Sequence, residues 1–325
     1  MEKPSWSIRL EKCVTAAVPK GMKTAWWLIK LTIPVSFGVL LLNYFGILDR
    51  MAVYTGPVFK TMGLPGVSAI VLITSIFTNI YSVIAVLTTL NLPVREGVIL
   101  AAMCLVSHGF IIETAVLRKT GSTVMRMLLL RITCSFVIGW LLNLIIPGDP
   151  VIDSGIIRHV HTDFLPVFLS WLKAILLTTL KIIILVNLLL ILQKVMEEFG
   201  LIKWLEKPLS PFMKIFGLPE NTTFSWIVAN AIGLAYGSAI MISLSEEGKM
   251  TRDDADLLNY HIAVSHSQLE DPLLFLTLGY PIHWLIWPRI IIAMAAVWLR
   301  RAELHFIPAS ARARRRWLLA NNRSN

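Results

Sequence analysis

Long apolar runs separated by short polar stretches make up most of this chain. Eight apolar segments are long enough to cross a membrane, which takes about 20 residues each. They lie near residues 26–46, 66–91, 96–117, 122–147, 167–193, 222–245, 256–278 and 281–299. These segments leave little room for a soluble domain. The pattern therefore predicts an all-α membrane protein that crosses the bilayer several times.

The polar stretches recur, and their recurrence divides the chain into two halves. Residues 45–65, FGILDRMAVYTGPVFKTMGLP, align with residues 199–219, FGLIKWLEKPLSPFMKIFGLP, at an offset of 154. After a four-residue insertion the offset becomes 158, and VSHGFIIE from residue 106 aligns with VSHSQLED from residue 264. The sequence therefore predicts a duplicated unit, with a first repeat at 26–147 and a second at 167–300.

One apolar segment in each repeat contains polar residues at mid-membrane depth. FTNIYS at 77–82 and NAIGLAYGS at 230–238 place Asn, Gly, Ser and Thr there. Non-helical backbone at that depth is tolerated only where protein or water covers it. The segments therefore predict re-entrant hairpins with Asn79 and Asn230 at their tips. Close helix packing through small residues is the alternative, and it does not explain the two asparagines.

The distribution of Lys and Arg decides between parallel and inverted repeats. The proline-broken stretches that precede the hairpins predict interfacial helices. Three spans and one hairpin per repeat then place the N-terminus, the loop at 118–126, residues 194–252 and the C-terminal end on one side. These regions hold five, three, six and seven Lys or Arg residues, against three, one and none on the other side. The positive-inside rule assigns the richer side to the cytoplasm.

We therefore predict an all-α polytopic protein of the cytoplasmic (inner) membrane, with two inverted repeats and both termini in the cytoplasm. Each repeat consists of about three spanning helices, an interfacial helix and a re-entrant hairpin. A basic cytoplasmic N-terminal segment at 1–25, an exterior linker at 148–166 and a basic cytoplasmic tail at 301–325 complete the chain.

Composition agrees with a membrane protein. Hydrophobic residues make up 56% of the chain and charged residues 15%, with a mean hydropathy of +0.69, whereas a soluble domain carries about 25% charged residues. The net charge of +10 is concentrated near the two ends, which suits an anionic cytoplasmic leaflet. Nucleic-acid binding is the weaker interpretation of the RARRR run. The apolar run that follows the basic N-terminal stretch is long, and no small-residue cleavage site follows it, so we expect the first span to be retained rather than removed as a signal peptide.

Ionisable side chains also recur inside apolar segments. His108 and His266 lie near the middle of theirs. A charge at the centre of a spanning helix costs on the order of 2.5–3.5 kcal/mol, so such groups require partners or water. Gly109 and the Asp271-Pro272 pair suggest breaks, and a broken helix presents free carbonyls and a dipole end to ions and polar substrates. Glu270 shares a helix face with His266 and has no acidic counterpart in the first repeat.

These residues predict a midplane site for a substrate or a coupling ion, built from both repeats. Its candidate members are Ser107, His108, Glu113, Ser265, His266, Asp271, Asn79 and Asn230. Arg131 and Arg289 are expected to hold the two carboxylates while the site is empty. If protons drive transport, the histidine pair is the expected carrier. A buried polar network without transport is the alternative.

The candidate ligand is either a metal ion or a polar solute. His108, Glu113, His266 and Asp271 suit a divalent first-row metal, whereas Ser, Asn and His side chains equally suit a nucleoside or a similar solute. The three cysteines, Cys13, Cys104 and Cys134, show no CxxC spacing. They support neither a disulfide framework nor a zinc site.

With its repeated Gly-Leu-Pro, polar hairpin segments and Ser-His-acid stretches, the chain resembles the nucleoside recognition, or Gate, domain family. The resemblance covers nearly the whole chain as two Gate-type units. That family includes the membrane part of ferrous-iron transporter B proteins and the spore maturation proteins, and its plan is similar to the inverted repeats of concentrative nucleoside transporters. The resemblance implies a transport-like fold without naming a substrate.

The expected function is that of a secondary transporter or permease for a small polar solute or ion. The alternatives are a divalent metal ion transporter and a non-transporting membrane scaffold or assembly protein. No phosphate loop, HExxH, GxSxG or GxGxxG motif is present, so we expect neither an enzyme nor a cofactor, with a metal ion only as a substrate. The expected partners are the lipid bilayer, the solute, and a second copy or another membrane protein, but no nucleic acid.

Overall fold

The computed structural model describes residues 5–149 and 163–306, and within these ranges it contains fourteen α-helices and no strand. The first half consists of α1 (Trp6–Tyr44), α2 (Ile47–Lys60), α3 (Ser68–Phe77), α4 (Ile80–Leu90), α5 (Val94–Ser107), α6 (Phe110–Lys119) and α7 (Val124–Ile145). The second half consists of α8 (Phe164–Glu198), α9 (Leu201–Ile215), α10 (Thr223–Ala231), α11 (Leu234–Glu246), α12 (Arg252–Ser265), α13 (Asp271–Phe275) and α14 (Ile282–Phe306). The predicted all-α fold is confirmed. Most of the predicted exterior linker and of the basic tail lies outside the described residues.

The two longest helices, α1 and α8, hold equivalent places in the two halves and run antiparallel. Near the start of α1, Nε of Arg9 lies 2.9 Å from Oε1 of Glu198 at the end of α8. At the other end of the pair, the ring of Tyr44 is centred 5.0 Å from that of Phe164. The second half is therefore inverted relative to the first.

Several helices have the length and composition of membrane spans. In the described residues, α1, α7, α8 and α14 qualify singly, and α5 with α6 forms a fifth span bent by 42° at its break. The equivalent pair, α12 with α13, is not among these spans; five residues separate the two helices, and α12 begins with a polar first turn that contains Asp253 and Asp254. The outer faces of the long helices carry exposed Leu, Ile and Trp side chains, as a surface in contact with lipid requires.

Short helix pairs occupy both predicted hairpins. Helices α3 and α4 have 10 and 11 residues, or about 15 Å each, which is half the thickness of a bilayer core. Only Thr78 and Asn79 separate them, and only Ile232 and Gly233 separate α10 from α11. In both pairs the second helix packs back against the first. This is the geometry expected of a re-entrant hairpin.

The predicted interfacial helices form as α2 and α9. Each begins directly after a glycine in the left-handed region, Gly46 with φ of 69° and Gly200 with φ of 65°. Glycine adopts this conformation without the steric penalty of a side chain. The repeated Phe-Gly pair is therefore the turn that directs the chain from each long helix into the interfacial one.

The loop before α7, the first part of α12 and the end of α14, all predicted to share one side of the membrane, lie on one face of the described structure. At the start of α7, Nη2 of Arg126 is 2.7 Å from Oε1 of Glu303 near the end of α14. In the loop before α7, Oγ of Ser122 is 2.6 Å from Oδ1 of Asp256 in α12. The start of α5 meets the end of α7 at the opposite face. The positive-inside rule then predicts that the Arg126 face is cytoplasmic.

Candidate functional site

Two helix breaks, one between α5 and α6 and the other between α12 and α13, meet at the centre of the fold. The first contains Gly109 with φ of 57°, and the aligned residue in the second, Ser267, has φ of 53°. The backbone N–H of Gly109 donates to the carbonyl of Ser75 at 2.9 Å, and that of Ser267 donates to Ala229 at 3.0 Å. Each break is thus tied to the first hairpin helix of its own half.

A fully buried arginine caps each break, Arg131 in the first half and Arg289 in the second. The last carbonyls of a helix have no partner within the helix. Each guanidinium supplies two donors, one to a carbonyl of the last helical turn and one to the carbonyl of the residue directly after the helix. The four donor–acceptor distances are 2.8 Å from Arg131 to Val106, 2.5 Å from Arg131 to His108, 3.1 Å from Arg289 to Val264 and 2.5 Å from Arg289 to His266.

The two arginines differ in their contacts with acidic side chains. Nη2 of Arg131 lies 2.6 Å from Oε2 of Glu113, which is the pairing that the sequence suggested. Arg289 instead extends Nη1 to within 3.5 Å of Oε1 of Gln268. Its main interaction is with the helix end, and Asp271 is left to other partners.

The two histidines face each other across the boundary between the halves. Their ring centroids are 5.2 Å apart, and both side chains are buried. Nδ1 of His108 lies 3.3 Å from the carbonyl oxygen of Cys104, and Nδ1 of His266 lies 2.8 Å from that of Ile262. A carbonyl only accepts, so Nδ1 carries the hydrogen in both rings. A neutral ring then presents the lone pair of Nε2 to the centre.

Two carboxylates complete the group of converging atoms. Oε1 of Glu113 lies 2.9 Å from Nε2 of His108 and 3.3 Å from Nε2 of His266. Oδ2 of Asp271 lies 3.6 Å from Nε2 of His108. Each half contributes one imidazole and one carboxylate, and each carboxylate reaches the histidine of the other half. We refer to His108, Glu113, His266 and Asp271 as the central quartet.

A positive charge is required to make this convergence favourable. When Nδ1 carries the hydrogen, both Nε2 atoms and the carboxylate oxygens are acceptors, and acceptors at these distances repel. Within the described chain, Nε2 of His266 and Oδ2 of Asp271 have no hydrogen-bond partner, although a buried polar atom left unpaired costs about 1–3 kcal/mol. Arg131 satisfies Oε2 of Glu113 and leaves Oε1 facing the centre. A proton or a metal ion at the centre supplies the missing charge.

The other predicted site residues lie near the breaks, and each uses at least one polar atom in a hydrogen bond away from the quartet, although Oδ1 of Asn230 is buried without a partner among the described residues. Both serines and both asparagines make hydrogen bonds to nearby groups of their own half, and Asn79 serves as the N-cap of α4. These bonds join Ser107 Oγ to the Met103 carbonyl (3.0 Å), Ser265 Oγ to His261 Nδ1 (2.7 Å), Asn79 Oδ1 to the N–H groups of Tyr81 and Ser82 (3.1 Å each), and Asn230 Nδ2 to the Trp226 carbonyl (2.9 Å).

His261 is a buried polar residue that the sequence did not single out. It lies one helical turn before Ser265 and is fully buried, and its Nδ1 is 3.1 Å from Nε1 of Trp226. The aligned residue in the first half is Met103, so His261 is not part of the repeated polar pattern. The available signal was that His261 follows a run of charged residues at the start of the same helix, α12.

Glu270 is an acidic residue of the second half only. It accepts a hydrogen bond from the hydroxyl of Tyr81 at 3.2 Å, and it lines a cavity of about 50 Å³ together with Gln193 and Thr24. A cavity of this size has room for water. Glu270 therefore lies between this cavity and Asp271, its neighbour in the chain.

Comparisons with known proteins agree with this architecture. A family model described as Gate, nucleoside recognition, matches residues 25–143. The chain is 31% identical over 301 residues to the uncharacterized membrane protein YvoD of Bacillus subtilis, and the match covers 91% of this chain and 95% of YvoD. No solved structure matches the chain. The match to YvoD extends over both halves of the chain.

Proposed function

We propose that this chain, which belongs to the nucleoside recognition (Gate) family of membrane proteins, is a permease of the cytoplasmic membrane. A small polar solute or ion binds at the central quartet and is exposed to the two sides of the membrane in turn. Both termini lie in the cytoplasm in this proposal.

The observation that carries the proposal is the convergence of four ionisable side chains from two inverted halves at two broken helices. Secondary transporters commonly bind their substrates in this way, at the midplane, between inverted repeats and beside discontinuous helices. A static scaffold has no need of buried acceptors that face one another. Ionisable groups kept at this depth favour a functional role.

The contacts also indicate how the site would open. Glu113 reaches His266 of the other half, and Asp271 reaches His108. A rocking motion of one half against the other therefore separates the ligand atoms. Because each break is hydrogen-bonded to its hairpin, the hairpin moves with the break and uncovers the site on one side.

Cysteine accessibility tests the proposal without knowledge of the substrate. In a variant whose three native cysteines are replaced by alanine, Ser107→Cys and Ser265→Cys place thiols beside the site, and Ser36→Cys is the matched control. All three serines are fully or almost fully buried, and Ser36 lies between α1 and α8, bonded to Trp171. We expect a membrane-impermeant thiol reagent, applied to vesicles of each orientation, to label the two site thiols from at least one side and the control from neither.

Equal protection of all three thiols in folded protein would contradict the proposal. The site would then be a static polar core, and the alternative of a membrane scaffold or assembly protein would be favoured. Folding of each variant is verified by thermal unfolding in detergent, so that protection is not confused with aggregation.

A further inference from the structure

We propose that the ligand of the central quartet is a divalent first-row transition-metal ion. The ion binds Nε2 of His108, Nε2 of His266 and Oε1 of Glu113. Asp271 is the nearest further carboxylate and becomes a fourth ligand only if its side chain moves toward the other three. This inference names the substrate class of the same site, and the role of the ion as transported cargo rests on the proposed function.

The separations between the ligand atoms match the edges of a metal coordination shell. First-row divalent ions bind imidazole nitrogen and carboxylate oxygen at about 2.0–2.2 Å, which places neighbouring ligands about 2.8–3.6 Å apart in octahedral or tetrahedral geometry. The contacts of 2.9 and 3.3 Å between Oε1 of Glu113 and the two Nε2 atoms fall in this range, and Oδ2 of Asp271 lies 3.6 Å from Nε2 of His108. The ligand atoms of His108, Glu113 and His266 all lie within 4.8 Å of one another.

The surrounding groups hold the ligands in the required orientation. Metal-bound histidines commonly donate their other ring N–H to a carbonyl or a carboxylate. His108 and His266 do this through Nδ1, each to the carbonyl four residues before it. Arg131 fixes Oε2 of Glu113 and so directs Oε1 at the centre. Four converging atoms at these separations leave room for a bare ion but not for a nucleoside.

The ligand types select among metals. Magnesium and calcium take oxygen ligands, so two imidazoles disfavour them. Copper(I) prefers thiolate or thioether sulfur, and the nearby Cys104 directs its sulfur to the carbonyl of Val71 instead. Two imidazoles and two carboxylates suit Mn²⁺, Fe²⁺, Co²⁺, Ni²⁺ and Zn²⁺.

The charge around the quartet suits a cargo better than a permanently bound metal. The two carboxylates of the quartet are accompanied by the guanidinium groups of Arg131 and Arg289, so these four groups together carry no net charge. These four groups as a set therefore do not offset the double charge of a bound metal ion. A transport site has to bind its ion weakly enough to release it.

Cobalt(II) titration of the full-length protein tests the inference. The protein is purified in detergent without a histidine tag and treated with chelator before Co²⁺ is added. We expect one ion per chain to bind, with visible absorption bands of cobalt bound to nitrogen and oxygen. The variant His108→Gln/His266→Gln should lose at least tenfold in affinity, on the scale of changes at metal sites. The matched control His283→Gln/His305→Gln removes two exposed imidazoles and should bind as wild type does.

Two results would overturn the inference: absence of cobalt bands in the wild type, or an equal loss of affinity in the control variant. If the double histidine variant does not fold, Glu113→Gln removes one ligand charge and decides the same question. If the site thiols are labelled but no metal ion binds, the protein is a permease for a proton or another solute. Metal binding with all thiols protected would leave a static metal site and overturn transport instead.

Discussion

At the scale of single residues, Arg131 and Arg289 show how a charge is accommodated deep in the fold. Each holds the end of a broken helix through two nitrogens of one planar guanidinium. Lysine has a single nitrogen on a flexible stem and cannot replace a group that uses two donors in fixed geometry. The arginines are therefore structural caps that lie beside the site.

We expect Arg289→Lys to lower the free energy of unfolding by about 1–3 kcal/mol, because it leaves a buried helix-end carbonyl without a donor. The matched control is Arg126→Lys at the partly exposed ion pair with Glu303, where the expected loss is below about 1 kcal/mol. Thermal unfolding in detergent measures both. Equal shifts in the two variants would show that Arg289 does not cap α12.

The residues of the central quartet were predictable because the repeat places the same chemistry at the same register twice. His108 and His266 align, and so do Glu113 and Asp271. The serines and asparagines were as conspicuous in the sequence, but small polar side chains readily bond to backbone one turn away. Whether Ser107 turns its hydroxyl to Met103 or to the centre depends on packing that the sequence does not state.

At the scale of elements, the two breaks share a left-handed turn with different residues in it. Gly109 occupies the turn of the first half, and Ser267 occupies that of the second. A side chain in this conformation costs about 1–2 kcal/mol, whereas glycine loses more chain entropy on folding, by about 0.5–1 kcal/mol. The second break therefore stores strain that the first does not.

We expect Ser267→Gly to raise the free energy of unfolding by about 0.5–1 kcal/mol, and Gly109→Ala to lower it by about 1–2 kcal/mol. The added methyl at residue 109 would also lie 3.3 Å from Oε1 of Glu113, so this variant should weaken cobalt binding as well. Thermal unfolding and the cobalt titration measure the two effects. A loss of stability in Ser267→Gly would mean that the serine side chain makes a compensating contact.

The hairpins and interfacial helices were predictable from local signals, namely proline, the repeated Phe-Gly pair and polar residues inside apolar runs. A break within the apolar stretch at 256–278 was predicted at Asp271-Pro272. The helix α12 already ends at Ser265, and α13 begins at Asp271 and has only five residues. Pro272 and the left-handed Ser267 break the helix there, and the arginine cap makes the break stable.

At the scale of the whole molecule, inversion follows from the contacts of α1 with α8 and agrees with the charge asymmetry between the two faces. The sequence predicted both features from the repeat offset and from the Lys and Arg counts. The sequence did not predict which residues of the two halves are in contact, because the alignment of residues 158 positions apart does not give the distance between them in space. That the carboxylates cross to the opposite histidine is a result of packing.

We expect Lys119→Cys to be labelled only from the cytoplasmic side and Asp149→Cys only from outside. Both residues are exposed and follow consecutive spans. The reagent and the vesicles are those used for the site thiols, with the native cysteines replaced by alanine. Labelling of Lys119→Cys from outside would refute the inverted arrangement in the membrane, since the positive-inside rule and the fold would then disagree.

The hydrogen bonds from Nδ1 of His108 and His266 to their own helices have a mechanical consequence. Because each ring is anchored to the backbone of α5 or α12, its Nε2 travels with that helix and has little freedom of its own. The distances between the quartet atoms of opposite halves therefore change directly with the distance between the two halves. In the proposed metal permease, separation of the two halves would pull the ligand atoms apart, so that opening of the protein and release of the ion would be a single event.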